Sequence, residues 1–104
     1  MKVEFRNEQL KRLYESGHSR KYPLDEAVIR KFVAVVGKLD AARDIHDLWH
    51  LPSLNFERMK GFDNRYSARL TLQYRVELEM DWENPEKTIA LVGIVELSNH
   101  YGGR

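Results

Sequence analysis

Apolar residues recur along this chain with two different periods, and the change between them divides it into helices and strands. Met1 to Phe5 alternates as a short strand does. Asn7 can then cap a helix carrying Leu10, Leu13 and Tyr14, which Gly17 stops in a left-handed conformation. His18 to Tyr22 is polar and basic, the composition of a loop, and Pro23 with Asp25 and Glu26 marks a second helix start. Val28, Ile29, Phe32, Val33, Val36 and Leu39 follow at three- and four-residue spacings and form one apolar stripe, with Gly37 weakening the last turn. Arg43 to Leu51 has the makings of a short helical turn, which Pro52 closes.

Beyond Pro52 the period falls to two. Leu54, Phe56 and Met59 predict a strand ended by Gly61 and the Asp63-Asn64 pair. Tyr66, Ala68, Leu70 and Leu72 alternate with Arg65, Ser67, Arg69 and Thr71, giving an apolar face and a basic one. Tyr74, Val76, Leu78 and Met80 repeat the pattern against Arg75, Glu77, Glu79 and Asp81, and Glu83 to Glu86 makes a loop. Ile89 to Leu97 is apolar on both faces, as a central strand is. The expected architecture is a single α+β domain over residues 1–104, with two N-terminal helices packed on one face of a mostly antiparallel four- to five-stranded sheet. The opposite sheet face is left to the charges.

Composition narrows the function classes. With 104 residues the chain has the length of one domain, and 42% hydrophobic against 32% charged residues is too apolar for disorder. The longest apolar run, Ile89 to Val95, is far below the roughly 20 residues of a membrane span, and the basic residues near the start lead into no signal-peptide core. A soluble, untargeted protein without a membrane partner is expected. The absence of cysteine excludes a disulfide framework, a thiol nucleophile and cysteine-ligated zinc.

The net charge of +1 argues against nucleic-acid binding by bulk charge, but the charges are segregated. Met1 to Tyr22 holds six basic and three acidic residues, Asn55 to Arg75 five and two, and Val76 to Glu96 one and six. Arg58, Lys60, Arg65, Arg69 and Arg75 thus fall in one basic stretch able to bind an anion, or to stand as a solvated sheet face.

Two constellations bear on chemistry. His46 and His50 have the four-residue spacing of a zinc-binding helix, but hydrolytic zinc needs a third ligand and Pro52 ends the segment, so no metal site is expected. The second set is dispersed: Glu57 and Lys60, then Arg69 and Arg75, then Asn99, His100 and Tyr101. Metal-free RNA cleavage needs a base for the ribose 2′-hydroxyl, a cation for the charged phosphorane and an acid for the departing 5′-oxygen. Any charged sheet face offers such side chains, so taken alone the set is a weak signal and a solvated sheet face is the preferred reading.

A resemblance goes further. Glu57-Arg58-Met59-Lys60-Gly61, Tyr66-Ser67-Ala68-Arg69-Leu70, Tyr74-Arg75-Val76 and Asn99-His100-Tyr101 resemble a type II toxin of the RelE/ParE superfamily, with HigB-like killer proteins the nearest group. Phe5-Arg6-Asn7, Leu10 to Glu15 with Gly17, and Leu39-Asp40-Ala41-Ala42 are similar to the helices of those toxins.

The resemblance implies a RelE-like fold and a cytoplasmic, ribosome-dependent endoribonuclease that cuts messenger RNA without a cofactor and is silenced by a cognate antitoxin, a helix-turn-helix protein. Carried over by position, Glu57 would be the general base, and Lys60 and Arg75 would hold the scissile phosphate. His100 would be the acid, and Tyr101 would orient or stack the substrate, with Arg58, Arg65, Tyr66 and Arg69 as RNA contacts. The ending departs from the Asp-Tyr-His common in HigB-like toxins, which leaves the acid open between His100 and Tyr101. Relatives that inhibit DNA gyrase by binding share the fold without the catalytic set, and they supply the alternative reading.

Overall fold

The computed structural model describes residues 1–99. The chain is α+β, with strand β1 (Val3–Phe5), helices α1 (Glu8–Ser16), α2 (Glu26–Ala41) and α3 (Ile45–Trp49), and then strands β2 (Glu57–Arg58), β3 (Arg65–Arg69), β4 (Tyr74–Trp82) and β5 (Ala90–Asn99). The strands form one five-stranded sheet in the order β1-β5-β4-β3-β2.

The helix boundaries follow from local chemistry. The Asn7 side chain accepts from the Gln9 and Leu10 backbone N–H groups at 3.0 and 3.3 Å, satisfying two donors at the start of α1. At the other end Gly17 takes φ 76° and donates to the Leu13 carbonyl at 2.9 Å, a conformation glycine adopts at little cost. Helix α2 runs through Gly37 to Ala41, because burial of Val35, Val36 and Leu39 outweighs the ~1 kcal/mol that glycine costs a helix. Asp44 caps α3 by accepting from His46 N–H at 2.9 Å.

The sheet corrects the expectation of a mostly antiparallel arrangement: it is mixed. β2-β3, β3-β4 and β4-β5 are antiparallel, but β1 runs parallel to β5, with Val3 beside Val92 and Phe5 beside Ile94. Alternation within a strand tells which side chains share a face; it does not tell which distant strand is the neighbour or in which direction it runs. Two strands are also shorter than their apolar patterns. Pro52 starts a 3₁₀ turn over Pro52–Leu54, so Leu54 and Phe56 are buried ahead of a two-residue β2. β3 ends at Arg69 because the Thr71 hydroxyl accepts from the Gln73 and Tyr74 N–H groups at 3.1 and 3.0 Å and turns the chain.

One buried cluster collects Leu10 and Leu13 from α1, Phe32, Val36 and Leu39 from α2, Leu48 from α3, and Val76, Leu78, Met80, Val92 and Ile94 from β4 and β5. Full burial of a Leu, Ile, Val, Phe or Met side chain stabilises by about 1.5–3 kcal/mol. Phe5 of β1, Tyr14 of α1 and Phe32 of α2 meet with ring centroids 5.1 to 6.5 Å apart. On β5 a bulge intervenes: Glu77 pairs with Glu96 and Leu78 with Ile94, leaving Val95 as the extra residue. No helix among the described residues is long and apolar enough to cross a membrane.

A candidate anion-binding cleft on the charged sheet face

Strand alternation sends Arg65, Ser67 and Arg69 of β3 to the same face as Arg75, Glu77 and Glu79 of β4, while Ala68, Val76 and Leu78 go to the core. The register then sorts the charges along that face. Ser67 lies opposite Glu77, Arg65 opposite Glu79, and Arg69 opposite Arg75.

One end of the face is neutralised. Arg65 donates to Glu77 at 2.9 Å, lies 3.5 Å from Glu79, and has its guanidinium over the Phe62 ring at 4.7 Å. Arg6, which follows β1, pairs with Glu4, Glu79 and Asp81 across β5 and lies over Gly93, where a Cβ would come within 2.5 Å of the guanidinium. These carboxylates, the Glu4 hydrogen bond first, hold the Arg6 guanidinium well above its ordinary pKa.

The other end keeps its positive charge. Arg69 and Arg75 make no ion pair among the described residues, and Arg75 Nε is anchored by donating to the Ser98 hydroxyl at 3.2 Å. Both arginines line a cleft of about 170 Å³, with Glu57 and Asn55 on the β2 side, Leu72 and Tyr74 on the β3–β4 hairpin, and Ser67 between them. Glu57 is placed there by pairing with Ser67, and its exposed carboxylate takes part in no ion pair or side-chain hydrogen bond among the described residues. Two adjacent guanidinium groups present parallel N–H donors matched to phosphate oxygens, and a nearby carboxylate can accept a proton.

The structure therefore brings Glu57, Arg69 and Arg75 together out of the residues singled out by sequence. Arg58 ends β2 and Lys60 follows it, and both line a separate depression with Met59, Gly61 and Phe62. Arg58 donates to the Phe62 carbonyl at 3.4 Å. Arg65 is committed to its two glutamates. Tyr66 leaves β3 toward the other face, opposite Leu78, and stacks on Phe56 at 5.1 Å in a row that also takes in Trp49 and Trp82. His100 and Tyr101 lie outside the described residues; the last described residue, Asn99, pairs with Tyr74 beside the cleft.

Sequence reasoning did not single out Asn55, Ser67, Leu72, Tyr74 or Ser98 as cleft residues. Tyr74 had a signal in its place before Arg75, whereas the others reach the cleft through register and turn geometry. His46 and His50 are both exposed on and just after α3, and His46 Nδ1 lies 3.6 Å from Asp44. Among the described residues no three His, Cys, Asp or Glu side chains converge as a metal site would require. In comparisons with known proteins, no protein-family model matches the chain, and no curated protein matches it either.

Proposed function

We propose that this chain is a ribosome-dependent messenger RNA endonuclease, a toxin of the RelE/ParE superfamily held silent by a cognate helix-turn-helix antitoxin in the cytoplasm. The observation that carries the reading is the cleft itself, in which Arg69 and Arg75 stand side by side without a carboxylate partner among the described residues while Glu57 borders them. Elsewhere on the same face arginines are matched with glutamate and aspartate. An uncompensated cation pair beside an acceptor suits a phosphodiester whose charge rises during reaction. The order of elements and the shared burial of Leu10, Leu13, Phe32 and Leu39 with Val76, Leu78, Val92 and Ile94 support a RelE-like arrangement of α1 and α2 on one sheet face.

In this mechanism Glu57 takes the proton of the ribose 2′-hydroxyl, and the freed oxygen attacks the adjacent phosphorus. The bond to the 5′-oxygen then breaks, leaving a 2′,3′-cyclic phosphate on one fragment. The leaving oxygen takes a proton from His100 or Tyr101, a role that rests on the sequence resemblance alone. Arg75, fixed by Ser98, and Arg69 bind the non-bridging oxygens as negative charge builds. Arg58 at the end of β2 and Lys60 just after it contact the flanking RNA backbone. Because net charge is +1, the ribosome supplies much of the substrate positioning.

The test is the chemistry of the ends. Purified protein added to translating ribosomes should yield message fragments with 5′-hydroxyl and 2′,3′-cyclic phosphate termini. Intact message together with blocked DNA supercoiling by gyrase would replace this reading with that of a gyrase-binding toxin.

A further inference from the structure

A concavity of about 940 Å³ opens at the end of α1, apart from the cleft and sharing no residue with it. Arg12 of α1 and His18, Arg20 and Lys21 of the loop that follows line it, all four exposed, and no carboxylate does. Glu8 and Glu15 lie about one helical turn from Arg12 on either side, yet among the described residues Arg12, Arg20 and Lys21 make no ion pair. Lys21 meets the Tyr22 ring, 5.8 Å from its centroid.

Basic side chains near a helix C-terminus can serve the helix by meeting its last carbonyls. These do not. The Leu13 carbonyl accepts from Gly17 N–H at 2.9 Å and the Arg12 carbonyl from the Ser16 hydroxyl at 2.8 Å, and none of the four basic side chains donates to a carbonyl among the described residues. The loop is nevertheless held in place. The Ser16 hydroxyl accepts from His18 N–H at 3.3 Å, and the buried Tyr22 donates its phenol proton to Glu96 of β5 and accepts from Asn7 at 3.1 Å. The Ser19 hydroxyl donates to Gln9 Oε1 at 3.0 Å, which leaves the Gln9 amide nitrogen, without a partner among the described residues, on the wall of the concavity.

We propose that this concavity is a second anion site, separate from the cleft, that takes a linear oligophosphate of two or three phosphoryl groups. Three full cations and an imidazole gathered without a counterion repel one another, a cost that a bound polyanion reverses. That is more charge than a single phosphate needs, and it suits a chain of phosphates lying along the concavity. Arg12 and Arg20 bind phosphate oxygens through parallel N–H donors, Lys21 acts as a point charge, and His18 and the Gln9 amide add single donors. The lining offers no aromatic ring to stack on a base, so recognition rests on the phosphates alone. Because the loop is tied to α1 and β5 before any ligand arrives, little ordering has to accompany binding.

The experiment titrates the full chain with inorganic triphosphate, with orthophosphate and with a short RNA duplex, at an ionic strength of about 0.15 M, where weak long-range attraction is screened. Nuclear magnetic resonance of the backbone amides from Ser16 to Lys21 and of the Gln9 side-chain amide reports on this site apart from the cleft. Triphosphate should shift these signals saturably, and orthophosphate should bind about tenfold more weakly or worse. Arg12→Gln and Arg20→Gln, both changes of exposed side chains, should each weaken triphosphate binding by about tenfold, while Arg69→Gln in the cleft should leave it as in the wild-type protein. Absence of a saturable shift, or unchanged affinity in Arg12→Gln and Arg20→Gln, would overturn the site. Shifts of the same signals by the RNA duplex at lower concentration than by triphosphate would also overturn it, since the surface would then be a nucleic-acid face.

Discussion

Arg69 of β3 and Arg75 of β4 face each other directly across the antiparallel ladder, a like-charge pair in a register that elsewhere on this face opposes Arg65 to Glu79. Directly opposed like charges destabilise a sheet by roughly 0.2–1 kcal/mol. Such a pair is retained at a cost to the fold, which is expected where a bound anion supplies the missing countercharge. Arg69→Gln should therefore leave stability unchanged or raise it by a few tenths of a kcal/mol, while lowering message cleavage. Urea unfolding and the cleavage assay on one preparation check both parts; a loss of stability without a loss of cleavage would mean that Arg69 serves the fold.

Arg65 predicts the reverse pattern. Its side chain and that of Glu77 are only 20% and 13% exposed, so removing the guanidinium strands a largely buried carboxylate. Arg65→Ala should destabilise by on the order of 3 kcal/mol, read as a lower urea midpoint, and Glu77→Gln added to it should recover part of the loss. Unchanged stability accompanied by weakened RNA binding would instead make Arg65 a direct RNA contact.

Tyr22 gives a prediction in pH. Burial first, and then the hydrogen bond and charge of Glu96, push its phenol up to about 12 from the ordinary 10.0, with Asn7 donating to the same oxygen at 3.1 Å. The native state thus keeps a proton that the unfolded chain releases between those values, and the corresponding stability is present below the unfolded pKa and lost as pH rises through the folded one. Unfolding free energy followed from about pH 9 to about pH 12 should fall less steeply in Tyr22→Phe than in the wild-type protein. Parallel curves for the two proteins would show that this phenol is not the group responsible.

How much of this was legible in the sequence depends on the range of the interactions. Asn7 and Gly17 announced both ends of α1, and the three- and four-residue spacing from Val28 to Leu39 announced α2, because caps and amphipathic stripes are local. The alternation from Arg65 to Asp81 likewise assigned side chains to faces. Partner choice was not written in any one strand: the parallel union of β1 with β5 joins residues far apart in the chain, and the period-two pattern is blind to it.

The candidate site divides in the same way. Glu57 and Arg75 were named from short motifs and do meet in one cleft, whereas Tyr66, one residue from Arg65, turns to the opposite face and enters an aromatic row. The exposure of Leu72 could not be foreseen from an alternation that assigned it to the apolar side. The Thr71 turn ends the strand before that alternation reaches it.

In the proposed mechanism Arg75 stabilises charge on the scissile phosphate, a role that single-turnover cleavage of message on translating ribosomes isolates. Wild-type protein should cut, and Arg75→Ala, with an unchanged circular dichroism spectrum, should cut about a hundredfold more slowly or worse, the loss expected when one charge stabiliser of a transition state is removed. Cleavage by Arg75→Ala at the wild-type rate would mean that Arg75 has no part in stabilising that charge.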